Sequence, residues 1–293
     1  GDILEYMYTR LEKEFDEVEL KIFYMTFGLK GYEEMKFNYH THTERCFHAK
    51  GADEEFVLAA IEAGFDEIGF ADHSPWPFEG YVSGMRMHEN DFEPYVNSIK
   101  ALREKYKDKI SIKIGLECEY FECYIPWLKE KIDELEVDYI ILGHHYSTHE
   151  VGAEYNGSLT TVEGIKKYTD EVVEGIETGL YSYICHPDLY MRGYPTWDEH
   201  CVEMGRRIIT AANKAGIPIE YNLLGFSHSK NDGKQGYPYP DFWLLAAEMG
   251  AKAIIGVDAH IPRAYGNTEL FEEAKENLKK LGIETVEGIK FFR

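Results

Sequence analysis

Short apolar runs alternate along the chain with longer stretches whose apolar positions recur every three or four residues. The short runs predict strands over residues 35–40, 67–71, 110–117, 137–142, 181–185, 217–221 and 252–257. The longer periodicity predicts helices over 53–63, 90–105, 125–135, 162–178, 199–215, 241–248 and 267–281. Strand followed by helix, repeated along the chain, predicts an α/β fold around a parallel sheet, either a barrel or a doubly wound sheet. No linker rich in Gly, Pro or Ser interrupts the alternation, so residues 35–293 read as one domain. Residues 1–34 stand apart: Leu4, Met7, Leu11, Phe15, Val18 and Ile22 fall at helical spacing among many acids. That segment is expected to be a helical extension packed on the outside of the domain, with a homo-oligomer contact as the sharper alternative.

Composition narrows the function classes. With 293 residues, 44% of them hydrophobic, the chain can bury a large core without disulfides or a structural metal. The longest apolar runs are far too short to span a bilayer, and no export signal is evident, so a cytoplasmic protein without a membrane partner is expected. The five cysteines (Cys46, Cys118, Cys123, Cys185, Cys201) form no C-x-x-C pair and read as reduced thiols. A formal charge of −22 speaks against a nucleic-acid partner, because phosphate backbones need basic patches. It leaves room for a small phosphorylated substrate, since bound divalent cations reverse the field locally.

Candidate metal ligands stand at the ends of most predicted strands. The first ends in His40-x-His42, with His48 six residues on; residues two apart in extended chain share a side, so His40 and His42 can share an ion. Asp72-His73 follows the second strand, Glu117 ends the third, and His144-His145 follow the fourth. His186 follows the fifth, and Asp258-x-His260 follows the last. Seven of the twelve histidines fall at such positions, where parallel α/β folds gather their chemistry. His144, adjacent to His145, is expected to point the other way. Mixed nitrogen and oxygen ligands suit Zn, Mn or Fe better than Mg or Ca. Cys118 and Cys185 are expected to alternate away from Glu117 and His186, into the wall of the core. Arg86, Arg192 and Arg263 lie in loops beside ligand positions, where a guanidinium fork could meet phosphate. Glu119, two residues beyond Glu117, is the candidate for a substrate amine.

The ordered series His40-x-His42, His48, Asp72-His73, Glu117, His145-Tyr146, His186-Pro-Asp and Asp258-Ala-His260 resembles the polymerase and histidinol phosphatase (PHP) family, most closely its histidinol-phosphatase branch. The resemblance covers about 36–266. It implies a distorted seven-stranded (β/α) barrel with a site for three divalent metal ions. By similarity, His40, His42, Glu117 and Asp258 hold the first. Glu117 bridges to a second completed by His145 and His186, and His48, His73 and His260 hold the third. The implied activity is hydrolysis of histidinol phosphate in histidine biosynthesis, by in-line attack of a metal-bridging hydroxide. Asp258, Asp188 or bound water could protonate the leaving oxygen. Catalysis is expected to centre on Glu117, Asp258 and His260. Two alternatives stand beside it: a PHP phosphoesterase for another small phosphate or a nucleotide, and a non-catalytic metal-holding scaffold. The sequence departs from the family pattern at Asn38 (usually Asp), at Val257 (usually Ser), and in Glu220-Tyr-Asn222-Leu-Leu-Gly225 (usually Glu-x-Asn-Thr-Ser-Gly).

Overall fold

The computed structural model describes residues 35–233, 236–286 and 288–292; the expectations for 1–34, including the oligomer contact, lie outside the described residues. Its strands are β1 (Phe37–Asn38), β2 (Glu67–His73), β3 (Ser111–Cys118), β4 (Tyr139–Leu142), β5 (Ile219–Asn222), β6 (Lys252–Gly256) and β7 (Glu284–Thr285). All pairings within sheets are parallel, in two sheets of order β1-β2-β3-β4 and β5-β6-β7. The helices are α1 (Asp53–Glu62), α2 (Glu89–Tyr106), α3 (Ile125–Leu135), α4 (Val162–Glu177), α5 (Glu199–Ala215), α6 (Leu223–Asp232), α7 (Pro240–Glu248) and α8 (Thr268–Leu281). Caps set their limits: the Asp198 side chain accepts from the amides of His200 and Cys201, and Gly216, at φ +69°, closes the same helix α5.

Three elements differ from the sequence reading. Residues 181–185 form no regular strand; Ile184 makes single parallel bridges to Leu142 on one side and Ile219 on the other. Helix α6 and strand β7 were not expected. The apolar run at 181–185 is buried throughout, but Pro187 and the turn at His186 (φ +27°) end the extended chain after it. A further parallel bridge, Thr41 to Ala259, links the chain beyond β1 to the chain beyond β6. The fold is thus α/β with a curled parallel sheet of four strands and a second sheet of three.

The main core lies between helices and sheets, as the periodic apolar faces require. A smaller cluster joins Tyr39, Ala71, Tyr139, Tyr183, Cys185 and Ile254, drawn from both sheets around a shared interior. Tyr139 crosses this interior and donates its hydroxyl to the carbonyls of Tyr39 (2.8 Å) and Phe70 (3.1 Å). It fits because Gly69 and Gly115 lack side chains: a Cβ there would lie 2.1 Å and 2.4 Å from its ring or hydroxyl. Phe291 packs edge-on against Tyr39 and Tyr139 at the end of the strands remote from the ligands.

Candidate metal centre

Register places the ligands. In the parallel β2–β3 pair, His73 stands directly beside Glu117. Room for the Glu117 side chain comes from Gly143, where a Cβ would lie 2.0 Å from Glu117 Oε1. The carboxylate has two differently occupied faces. Oε1 lies 2.9 Å from His186 Nε2 and 3.4 Å from His145 Nε2. Oε2 lies 3.1 Å from His73 Nδ1 and 3.4 Å from Nε2 of both His40 and His42.

Asp258 completes the second face, with Oδ1 3.4 Å from His40 Nε2, 3.2 Å from His42 Nε2 and 3.3 Å from His260 Nδ1. The rings of His42 and His260 stack at 4.1 Å, and His48 lies 4.8 Å from His260 and 5.3 Å from His73. Asp258 (φ +51°) and His186 (φ +27°) are both held in left-handed backbone, the kind of strain that surrounding structure imposes at working sites. All nine residues named from the sequence as ligands are therefore gathered in one cluster.

The buried acids and histidines shift one another's ionisation strongly. Burial opposes ionisation of Glu117, yet His145, His40 and His73 hold it well below the ordinary carboxylate range. Asp258 is depressed in the same way by His40, His260 and His42, against its burial. His40 is raised despite burial by Asp258, Glu220 and Glu117. Burial pushes His48 down to about 4, helped by His260 and His42, and drives His73 well below its usual value despite Glu117.

Divalent cations fit this donor set. His40 Nε2 and His42 Nε2 face each other at 3.1 Å, an arrangement in which either one holds a proton or both address a common cation. His73 Nδ1, His186 Nδ1 and Asp258 Oδ1 are buried, and none makes a well-aligned hydrogen bond among the described residues, which is costly for purely structural groups. The donor atoms of His48, His73 and His260 lie within 4.8 Å of one another, as do those of His40, His42 and Asp258. Nitrogen and oxygen donors in such groups are those of Zn, Mn or Fe.

The sequence as a whole agrees with the geometry: a PHP domain model matches residues 38–282. The chain belongs to the PHP domain family. A probable histidinol-phosphatase of Deinococcus radiodurans is 27% identical over 259 residues, spanning 84% of this chain and 94% of that protein. A histidinol-phosphatase of Lactococcus lactis is 26% identical, spanning 87% of this chain and 96% of that protein. The solved structure of histidinol phosphate phosphatase from Lactococcus lactis, complexed with Zn, L-histidinol and phosphate, is similar at a TM-score of 0.68. It is 25% identical, covering 87% of this chain and 98% of that one. Among the described residues of this PHP domain, no helix is long and apolar enough to cross a membrane.

The residues expected at the substrate are placed less uniformly. Arg192 is exposed and lies over the ring of Tyr155, which in turn is parallel to the His145 ring at 6.3 Å. It borders a groove lined by His228, Ser229, Asp232 and Tyr237, and the Tyr237 ring packs on His186 at 5.5 Å. Arg263 is exposed on the turn after His260. Arg86 and Glu119, in contrast, are fully buried and bonded to each other, with Nη2–Oε1 at 2.6 Å and Nη1–Oε2 at 3.0 Å. Asp188 is buried too and accepts from the Tyr239 amide at 2.6 Å.

His144 turns to the far side of the chain, where its Nε2 meets Glu171 at 2.9 Å. Cys118 packs into the main core, but Cys185 corrects the alternation argument. It belongs to the inner cluster, and its sulfur lies within 4.8 Å of donor atoms of His40 and Glu117. The left-handed turn at His186 breaks the strand alternation that would have separated the two side chains. Burial keeps the Cys185 thiol well above its ordinary pKa, so it packs as a small apolar group.

Sequence reasoning did not assign the residues that stand behind the ligands: Asp72 was read only as a possible ligand beside His73, and Glu220 and Asn222 only as part of a family stretch. Glu220 Oε1 lies 2.7 Å from His40 Nδ1, while its Oε2 accepts from the His186 amide at 3.0 Å. Asp72 Oδ1 lies 3.3 Å from His42 Nδ1. Asn222 donates to both Glu220 (2.9 Å) and Asp258 (3.0 Å). Asn38 donates to Thr41 and Tyr265 and accepts from the Val257 amide, so its amide uses both ends where an aspartate could only accept. Only the fold shows why Glu220 fits: Gly256, opposite Asn222 in register, leaves it space that a Cβ, 1.8 Å from Oε1, would remove.

Proposed function

We propose that this PHP domain hydrolyses histidinol phosphate to histidinol and phosphate, using three divalent ions held by His40, His42, His48, His73, Glu117, His145, His186, Asp258 and His260. The observation that carries the reading is the Glu117 carboxylate, whose two oxygens face two separate sets of histidines, as a bridging ligand must. Parallel bridges between the two sheets support closure of the strands into the seven-stranded barrel that the family resemblance implies. When bound, divalent ions withdraw charge from phosphoryl oxygens and acidify water, which answers the two obstacles to hydrolysis of a phosphate monoester dianion.

The protein's own part is placement. Glu220, Asp72 and Glu119 each take one ring nitrogen of a ligand histidine and leave the other directed at the centre. Arg192 binds the phosphate from the rim, with Tyr155 beneath it. The groove beside Arg192 takes the leaving group: Asp232 meets the ammonium, and Tyr237 lies against the imidazole. Because Glu119 is already paired with Arg86, Asp232 replaces it as the acid for the amine. Phosphate release by the Mn- or Zn-loaded protein tests the proposal. A clear preference for histidinol phosphate over an aryl phosphate supports it. Brisk aryl-phosphate hydrolysis without that preference transfers the site to another small phosphate.

A further inference from the structure

The Arg86 guanidinium is buried, and its bonds are nearly all used. Nε donates to Glu150 Oε2 (2.6 Å), Nη1 to the Ser74 carbonyl (3.0 Å) and Glu119 Oε2 (3.0 Å), and Nη2 to Glu119 Oε1 (2.6 Å). Trp76 Nε1 adds a further bond to Glu119 Oε2 at 2.8 Å. What remains open on Glu119 Oε1 is directed at His145 Nδ1, 3.3 Å away. That contact keeps the proton on Nδ1 and leaves the lone pair on Nε2, which faces Glu117 Oε1 at 3.4 Å. Glu150 and His145 belong to the same loop after β4. Arg86 therefore ties that loop to the end of β3 and to the loop after β2.

A buried arginine between two carboxylates is an expensive way to hold loops together, since apolar side chains of similar volume would serve stability as well or better. The other two carboxylates behind ligand histidines have no hydrogen-bonded cation among the described residues. Glu220 is held by the His186 amide and Asn222, and Asp72 by the Thr43 amide and hydroxyl. The fork of Arg86 fixes Glu119 in plane and in rotation, which single hydrogen bonds would not.

We propose that Arg86 and Glu119 are positioning residues that set the ring of His145, and so control the affinity of the one ion that His145 and His186 share with Glu117. The inference rests on the three-ion reading above but not on the identity of the substrate. Cobalt(II) titration of the metal-free protein, followed by visible absorption and by ions bound per chain, reads it directly. In Glu119→Gln and Arg86→Lys, one equivalent of cobalt is expected to weaken by about 10–100-fold while the others bind as in the wild type. Excess cobalt should then restore kcat, with KM for the phosphate ester little changed.

Three results overturn the proposal. Unchanged binding of every equivalent would leave the pair without influence on the metal. Uniform weakening of all equivalents, with a lower unfolding temperature of the metal-free variants, would make the pair structural. Normal metal binding with a raised KM for histidinol phosphate alone would return Glu119 to the substrate. Because cobalt binding needs no substrate, failure of the histidinol-phosphate assignment would leave this test intact.

Discussion

Gly143→Ala isolates the steric space around Glu117 from every other property of the site. Gly143 is outside left-handed backbone, so alanine brings no torsional strain, and its amide is pinned to the Cys118 carbonyl at 3.1 Å. The new Cβ would stand 2.0 Å from Glu117 Oε1, 2.5 Å from Cδ and 2.6 Å from Cγ. Relief to an ordinary contact distance of about 3.5 Å requires the carboxylate to move by roughly 1 Å or more. It cannot retreat freely, because His186, His145 and His73 surround it. A displacement of that size at a reacting centre costs on the order of 100-fold in kcat, and the overpacking costs about 1–3 kcal/mol of stability. Steady-state phosphate release, metal content and thermal unfolding of the variant measure both. Gly84→Ala, where a Cβ meets nothing within 4 Å, serves as control and should be neutral. Glu117→Gln should reproduce the loss of kcat without the crowding. Wild-type turnover and metal content in Gly143→Ala would refute the claim that Glu117 in this position organises the centre.

His145→Ala should abolish most turnover and one ion's binding, whereas His144→Ala, which loses the contacts with Glu171 and the Tyr120 amide but none with the centre, should keep the metal; equal metal loss in both would mean the turn is misread. Arg192→Ala should raise KM for phosphate esters generally by about 10–100-fold if a charge-assisted contact worth ~1.5–3 kcal/mol is lost, while Asp232→Asn should weaken histidinol phosphate and spare an aryl phosphate. Parallel losses for both esters in Asp232→Asn would remove that residue from the leaving-group site. Burial raises Asp188 to about 7, against the Tyr239 amide that favours its charge, so the fold prefers the protonated acid. That preference is complete below about pH 4 and is lost as pH rises through about 7; Asp188→Asn should flatten this decline in denaturant titrations of the metal-free protein. An unchanged pH slope would assign the decline to other groups.

Some of this was legible from residue order, and the limits have physical causes. Strand ends in parallel α/β folds converge, so a histidine or acid at such an end already indicated where it would go; the cluster of His40, His42, His73 and Asp258 needed little more. Alternation failed at Cys185, because it presumes extended chain and His186 is not extended. Proximity in sequence misled at Glu119 as well. Its position beside Glu117 suggested a substrate contact, but its partner Arg86 is 33 residues away, and no local pattern encodes such a pairing.

The sequence by itself determined the alternation of strand and helix, seven of the eight helices described, the candidate ligands and the family, because each of these follows from periodicity or from a motif carried on contiguous chain. Only the tertiary structure decided which nitrogen of each histidine faces the centre, how the two oxygens of Glu117 are divided, and which carboxylates stand behind the ligands. Those are distances of 3 Å between residues tens to hundreds of positions apart, as between His40 and Glu220. They are set by strand register and by the space that Gly143 and Gly256 leave open, and neither quantity exists until the chain has folded.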